Sequence, residues 1–375
     1  MSGAPRRPYL APRARAHHRN QRGAVSAIEQ AHAHSVWKKS LFLICLGLGL
    51  AASACVIITL GQVKISVADV YATLIDKISP GAFAVSSLMQ LVIWRIRMPM
   101  ITGAILCGAG LGVCGCAMQT VLKNPLASPF TLGISSGARL GISIAAVMNF
   151  SILNGPYFLV SNAFVCALLC SGLIILLSYF KGASSETLVL AGVAMTYLFQ
   201  ALNELLNYFA TEEQRTVMSL WGMGTLSNLN WRSIGFIAVI FIVCLPLLYW
   251  KAWDFNLMTV GDDCAKSMGV NANSIRIYVM VISSLLVATI VAFIGVIGFI
   301  GLVAPHIARM ILGSDHRYLL PASGGLGAAL LLITNAIAMN LLKSVVLPAG
   351  TVMSIISVPF FLYLILRRKR KEFWS

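Results

Sequence analysis

Ten apolar segments are the feature that most restricts the fold of this chain. A helix needs about 20 apolar residues to cross the hydrocarbon of a bilayer. The segments lie at roughly 41–60, 98–122, 132–150, 158–180, 187–208, 234–250, 277–296, 299–312, 319–342 and 350–366. Hydrophobic residues make up 58% of the chain and charged residues 11%, which excludes an ordinary soluble protein. We predict an all-α polytopic membrane protein with about ten transmembrane helices.

The eighth segment, 299–312, is too short to span the membrane upright by itself. We expect a short helix packed inside protein, with Pro305 near its start. The glycines at 295, 298 and 301 would let neighbouring backbones approach closely. His306 invites a ligand or proton-relay hypothesis. Because it directly follows Pro305 at the expected helix start, hydrogen bonding to free backbone groups is the reading we favour.

Basic residues lie at the two chain ends and in loops between the apolar segments. With the N-terminus inside, 21 of the 28 Lys and Arg residues fall on the inner side and seven on the outer side. This positive-inside pattern predicts that both termini are cytoplasmic. It also accounts for the net charge of +16 without nucleic acid, for which no binding motif is visible.

Composition divides the chain into three parts. Residues 1–40 hold eight basic residues and no apolar run, so we expect a disordered cytoplasmic arm rather than a signal peptide. The transmembrane domain is predicted over 41–370, with its longest cytoplasmic loop at 251–276, and a cytoplasmic tail covers 371–375. The nine cysteines have no Cys-x-x-Cys spacing and read as packing residues, so no metal site is predicted.

Three motifs interrupt or join these segments. The first is a turn with the sequence Lys-Asn-Pro-Leu-Ala-Ser-Pro at 123–129, which two prolines make rigid. The second lies in the 251–276 loop, where Asp262 is expected to cap a short helix and Gly269 suits its left-handed C-terminal position. The third is Gly-Phe-Ile-Gly-Leu-Val-Ala-Pro-His at 298–306.

Together these motifs resemble the permease subunits of the FecCD-type ABC importers, which carry iron-siderophore complexes, haem and cobalamin. A further match is Leu-Pro-Ala-Gly at 347–350, followed by Pro-Phe-Phe-Leu-Tyr-Leu at 359–364. Weaker matches at 65–70 and 221–226 extend the resemblance over 41–370. The resemblance implies the type II ABC importer permease fold. It also implies a homodimer, or a heterodimer with a similar permease, two cytoplasmic ABC ATPase subunits and an extracytoplasmic substrate-binding protein, all in contact with membrane lipid.

The resemblance assigns roles to residues at the cytoplasmic side. The loop segment expected to contact the ATPase contains Gly261, Asp262, Ala265, Met268 and Gly269. Met268 stands in place of the usual Leu. An ordinary loop helix is the alternative. The cytoplasmic gate falls on Asn124, Pro125, Leu126 and Ser185, while a carboxylate at Glu186 departs from the family pattern.

The fifth apolar segment carries a polar stripe of Gln200, Asn203, Glu204 and Asn207 at helical spacing. Polar groups are costly in hydrocarbon, so this face is expected to meet protein or water. In the resembled fold this helix lines the translocation path. The alternative is that the stripe marks the place where the helix leaves the membrane.

On the outer face, the resemblance implies Arg residues that pair with Glu on the binding protein. Arg97 matches the first of these, while Met100, Met339 and Val346 replace other charged residues of the pattern. Arg95 and Lys343 lie nearby and are candidate substitutes. Basic residues are also common interfacial anchors, which is the alternative reading.

The chain has no Gly-Lys dipeptide and therefore no phosphate-binding loop of the Gly-x-x-x-x-Gly-Lys type. We therefore expect that the chain is not an enzyme and binds no cofactor, and that the partner subunit uses ATP and Mg.

Iron-siderophore is the expected substrate, and haem and cobalamin are alternatives. An ion-coupled secondary transporter is disfavoured because Glu204 is the only carboxylate well inside a segment. A membrane-embedded enzyme would need a polar catalytic cluster at membrane depth, and the sequence shows none with convincing spacing.

Overall fold

The computed structural model describes residues 36–63, 65–79, 81, 83, 85–182, 184–342 and 345–367. The chain divides into two compact units, Met1–Cys45 and Leu46–Ser375. Of the first unit, residues 36–45 are described, and they are helical. Residues 36–40, which the sequence assigned to the arm, are part of this described helix, Val36–Ile57. The rest of the arm and the tail at 371–375 lie outside the described residues.

Throughout the described residues the regular secondary structure is helical. The helices are α1 Val36–Ile57, α2 Val67–Ile78, α3 Ser87–Val121, α4 Ile134–Met148, α5 Phe158–Lys181, α6 Ser185–Phe209, α7 Glu212–Gly222, α8 Trp231–Trp250, α9 Ala252–Val260, α10 Asp262–Ser267, α11 Ala272–Ile294, α12 Ile300–Leu312, α13 His316–Asn340 and α14 Ala349–Arg367. Helix α3 begins with a wider, π-helical stretch at Leu91–Arg97. Short 3₁₀ turns at Pro129–Leu132 and Gly155–Tyr157 precede α4 and α5.

Seven of these helices, α1, α3, α5, α6, α8, α11 and α13, are long and apolar enough to cross a membrane. Shorter apolar helices are α4, α12 and the described apolar part of α14. These ten elements correspond to the ten predicted segments, and the predicted fold class is confirmed. Helix α4 has 15 residues, fewer than its segment indicated, because left-handed residues stand at both ends, Gly133 with φ 73° and Asn149 with φ 50°.

Helix α3 is the central element of the second unit, and glycines bring it against its neighbours. A Cβ atom at Gly108 would lie 2.4 Å from the carbonyl oxygen of Gly327 on α13. A Cβ atom at Gly115 would lie 1.8 Å from the carbonyl oxygen of Gly301 on α12. Such small residues permit the close packing that holds membrane helices together without a hydrophobic driving force.

The short helix α12 is confirmed as an element of 13 residues packed against α3 and α13. Of the three glycines expected to allow close approach, Gly295 and Gly301 meet neighbouring backbone, whereas Gly298 has nothing within 4 Å of a Cβ position. His306 is buried but lies at the seventh residue of α12. The prediction that His306 lies at the helix start is therefore wrong, because α12 begins at Ile300, well before Pro305.

Candidate coupling and gating site

The turn after α3 folds through its own side chains. Lys123 adopts a left-handed conformation with φ 49°. The backbone N–H of Leu126 donates to the side-chain oxygen of Asn124 at 2.9 Å, an Asx turn that holds Pro125 at its tip. The side chain of Leu126 is exposed. This Asn-Pro turn, residues 122–128, therefore presents an apolar side chain on a rigid backbone.

The start of α6 lies beside the same turn. Ser184 caps α6 by accepting from the N–H of Thr187. The hydroxyl of Ser185 donates to the carbonyl oxygen of Val121 at 3.4 Å, which joins α6 to the last residue of α3. Glu186 follows Ser185 and is exposed. The structure thus brings Ser185 next to the Asn-Pro turn, as the assignment of both to one gate requires.

The loop motif at 261–269 forms the short helix α10, and its end has the geometry that the sequence indicated. Gly269 has φ 87°. Its N–H donates to the carbonyl of Lys266 at 3.0 Å, and the N–H of Val270 donates to the carbonyl of Ala265 at 2.9 Å. This pair of hydrogen bonds is a Schellman motif, which favours glycine at the left-handed position. The predicted C-terminal role of Gly269 is therefore confirmed.

The predicted capping role of Asp262 is wrong. Gly261 occupies the N-cap position of α10, and no side chain makes a capping hydrogen bond there. Asp262 is the first helical residue, and its carboxylate contacts residues of other elements instead.

The other side chains of α10 give it a buried side and an exposed side. Ala265 is fully buried, while Met268 is 61% exposed. The helix is thus anchored on one side and offers an apolar side chain on the other.

Asp262 joins two cations from different helices. Its carboxylate lies 2.8 Å from the Nζ of Lys123 in the Asn-Pro turn and 2.6 Å from the Nη2 of Arg276 near the start of α11. Partial burial alone would raise the pKa of Asp262, but hydrogen bonds and charges of Lys123 and Arg276 outweigh it and hold that pKa below its usual range. Lys123, Asp262 and Arg276 are called the charge junction below.

Arg276 ties the charge junction to the end of α3. Its side chain is 3% exposed. The Nε atom donates to the carbonyl oxygen of Val121 at 2.9 Å, and Nη1 donates to the side-chain oxygen of Asn273 at 3.0 Å. Val121 also accepts from Ser185. One carbonyl therefore connects the coupling motif, the Asn-Pro turn and the start of α6. Lys123 and Arg276 could not be recognised from the sequence because their partner, Asp262, comes from another part of the chain.

The three predicted docking residues, Arg95, Arg97 and Lys343, differ in their exposure and contacts. Arg97 is buried, and its guanidinium donates to the carbonyl oxygens of Ile58, at 2.6 Å, and of Val63. Those loop carbonyls occupy the guanidinium of Arg97, and its docking role stays a prediction. Arg95 is exposed and lines a surface cavity that also includes Lys77. Lys343 lies outside the described residues.

The polar stripe of α6 divides into two pairs. The amide of Gln200 donates to the carboxylate of Glu204 at 2.9 Å, and both side chains are exposed. Asn203 instead accepts a hydrogen bond from Ser143 of α4. Asn203 and Asn207 line a cavity of about 430 Å³ between α4, α6 and α7. The four residues thus form an exposed pair and a cavity-lining pair on α6, and their role in the translocation path stays a prediction.

These features define a multi-pass membrane permease: spanning helices around a glycine-packed core, with a loop helix tied by charge to a rigid turn. Residues 48–367 match the FecCD transport family, and the chain belongs to that family. It is an ABC importer permease, as the resemblance of its motifs predicted.

Two curated relatives illustrate the range of this family. The chain is 38% identical to the hemin transport system permease protein HmuU of Yersinia pestis, over 75% of this chain and 85% of that protein. It is 33% identical to the Fe(3+)-citrate import system permease protein YfmE of Bacillus subtilis (strain 168), over 85% of this chain and 95% of that protein. The cargo named for these two relatives differs, although both cargoes contain iron.

A solved structure shares the fold. It is a metal-chelate type ABC transporter in an inward-facing conformation, with a TM-score of 0.77 and 30% sequence identity. The match covers 88% of this chain and 100% of that chain. The arrangement of helices described above is thus that of an ABC transporter permease.

Proposed function

We propose that this chain is the membrane-spanning subunit of an ATP-driven importer for iron(III)-siderophore complexes. The observation that carries the proposal is the convergence of α10, the Asn-Pro turn and α6 on the charge junction and on the carbonyl of Val121. A force applied to α10 by a bound protein passes through Asp262 to both the turn and α11. This is the arrangement that a gate worked by an external motor needs.

The motor is a pair of ABC ATPase subunits, and the surface they grip is α10 with the exposed side chain of Met268. The end of the helices that carries α10 is cytoplasmic, as are both termini, in agreement with the excess of Lys and Arg on that side. A binding protein delivers the substrate at the opposite end. Arg95, which is exposed there, is the docking residue that the described part of the chain offers.

The translocation path lies at the interface of a dimer, formed either by two copies of this chain or with a similar permease. The exposed Gln200 and Glu204 pair on α6 supports this, because such groups are costly against lipid and require water or protein beside them. Alternating access then follows when ATP binding in the motor moves α10 and the Asn-Pro turn.

Cargo identity is the second part of the proposal. The Bacillus subtilis relative is named for Fe(3+)-citrate and the Yersinia pestis relative for hemin, and both names support an iron chelate. Haem is the first alternative and cobalamin, through the family resemblance, is the second. An ion-coupled transporter is disfavoured because Glu204 is exposed in a hydrogen-bonded pair with Gln200 rather than facing a basic partner.

Uptake into proteoliposomes tests this function. The full-length permease is reconstituted with its candidate ATPase and binding protein, and iron(III)-siderophore, haem and cobalamin are supplied outside in parallel. We expect accumulation of the siderophore complex that requires ATP and all three proteins. Accumulation driven by an ion gradient without the ATPase would contradict the importer assignment, whereas accumulation of haem or cobalamin alone would correct the cargo.

A further inference from the structure

The cavity between α4, α6 and α7 is lined by two arginines, although it lies among apolar helices. Its polar lining consists of Arg139, Ser143, Asn203, Asn207, Arg215 and Ser219. Among the described residues that line it, none is an aspartate or a glutamate. Its volume of about 430 Å³ lies within the range of small-molecule sites, roughly 300–1,000 Å³. We call it the arginine cavity.

Arg139 gives the arginine cavity its first charge. Arg139 lies in the second turn of the apolar helix α4. An ionised group inside an apolar helix is costly, and such a group normally faces a partner or an aqueous path. The polar contact that Arg139 makes is a long one, from Nη2 to the carbonyl oxygen of Gly222 at 3.4 Å. Arg139 is exposed and lines the cavity, and no aspartate or glutamate is among the described residues that line it.

Arg215 gives the second charge from a different helix. It lies on α7, where its Nη1 atom is 4.0 Å from the carboxylate of Glu212 and its Nη2 atom is 3.5 Å from the carbonyl oxygen of Tyr208. The Glu212 side chain is 90% exposed, so this ion pair is screened by solvent and weak. Arg215 therefore retains hydrogen-bonding capacity towards the cavity that it shares with Arg139.

The remaining lining defines the chemistry of a ligand. Asn203 accepts from Ser143 and lines the cavity together with Arg139, and Asn207 lies one turn further along α6. Planar guanidinium groups bind carboxylates through two parallel hydrogen bonds, and amide N–H groups add further donors. Trp221 supplies an apolar wall. The donors outnumber the acceptors, so the cavity suits an oxyanion on a small organic ligand.

We propose that the arginine cavity binds a carboxylate group of the translocated chelate. The proposal rests on the proposed transport function and deepens it, because it makes the permease itself selective for anionic chelates over uncharged ones. Asn203 and Asn207 belong to α6, the helix to which the translocation path was assigned, so the cavity lies beside that path. A carboxylate held there supplies the counter-charge that Arg139 lacks.

Direct binding of citrate tests the site without the ATPase or the binding protein. Full-length permease is placed in phosphatidylcholine nanodiscs, and binding of radiolabelled citrate is measured by equilibrium dialysis. We expect saturable binding, weakened about tenfold or more by Arg139→Gln, since hydrogen bonds between charged groups are stronger than neutral ones. Arg139→Lys should restore part of it. Arg232→Gln, which removes an exposed arginine outside the cavity, should leave binding unchanged.

Arg215→Gln repeats the test from α7 if Arg139→Gln does not fold. Absence of saturable binding to the wild-type permease at millimolar citrate would overturn the proposal, as would equal loss of binding in Arg139→Gln and Arg232→Gln. Loss of citrate binding in nanodiscs that contain phosphatidylglycerol would assign the cavity to a lipid headgroup and also overturn it. Failure of ATP-dependent uptake with intact citrate binding would instead contradict the transport function.

Discussion

The two cations of the charge junction are predicted to contribute unequally, although both meet the same carboxylate. Lys123 is 39% exposed and its pair with Asp262 is 2.8 Å long. An exposed pair of this kind contributes about 0.2–1 kcal/mol. Arg276 is 3% exposed, and besides pairing with Asp262 it donates to Val121 and Asn273. Its replacement therefore removes the closer of two donors to the Val121 carbonyl and one of the two cations that meet the Asp262 carboxylate.

Arg276→Met is expected to destabilise the permease by roughly 2–3 kcal/mol. Removing one partner of a fully buried pair costs about 3–5 kcal/mol, and the value here is lower because the Asp262 side chain is 41% exposed and water solvates it. Lys123→Met is expected to cost less than about 1 kcal/mol. Arg276→Lys should rescue little, because an ammonium cannot reproduce the planar fork that reaches three acceptors.

Thermal unfolding of the purified permease in nanodiscs measures this difference. The Tm of Arg276→Met should fall well below that of Lys123→Met, and Asp262→Asn should lie between them. Stimulated ATP hydrolysis in the complex should follow the same order, since the junction transmits force from α10 to the Asn-Pro turn. A loss of Tm in Lys123→Met equal to or greater than that in Arg276→Met would refute the reasoning.

Three further predictions follow from the packing and charge of single residues. Gly115→Ala should prevent stable folding, because its Cβ atom would lie 1.8 Å from the Gly301 carbonyl oxygen, whereas Gly172→Ala meets nothing within 4 Å and should leave Tm unchanged. Arg97→Gln should lower Tm through the loop that it holds, without weakening binding-protein affinity measured by surface plasmon resonance. The pKa of Asp315 is lowered to about 2 by its hydrogen bonds with Arg317, despite partial burial and with a further contribution from Asn256, so the wild-type Tm should fall as pH drops from about 4 towards 2.

The sign of the last prediction follows from linkage. A carboxyl whose folded pKa is depressed stabilises the protein fully above its unfolded pKa and loses that contribution as pH falls through the folded value. Asp315→Asn should therefore have a lower Tm at neutral pH and a flatter acid profile. An unchanged acid profile in that variant would contradict this account, and so would a stable Gly115→Ala protein or weaker binding-protein affinity in Arg97→Gln.

Much of the fold was predictable from sequence because hydrophobic segments in a membrane have few alternatives. Ten apolar segments gave ten helical elements, and Gly269 revealed its left-handed position because a local hydrogen-bonding pattern favours glycine there. The helix bounds were harder: α1 begins before the apolar run, and α4 is shortened by Gly133 and Asn149.

Long-range contacts account for the parts of the site that the sequence concealed. Asp262 looked like a helix cap because aspartate often is one, but its actual partners, Lys123 and Arg276, depend on how three helices pack. Arg97 matched a docking pattern, yet the loop at 58–63 folds over it.

Helix α10 is proposed to transmit force from a separate ATPase, and Met268 tests this proposal most directly. Its side chain is 61% exposed and has no described role in holding α10, so Met268→Asp should leave Tm intact while disrupting an apolar docking surface. Met148, 64% exposed at the far end of α4, supplies the matched control Met148→Asp. The measurement is ATP hydrolysis by the reconstituted permease and ATPase. The account predicts lost stimulation in Met268→Asp and wild-type stimulation in Met148→Asp; full stimulation in Met268→Asp would contradict it.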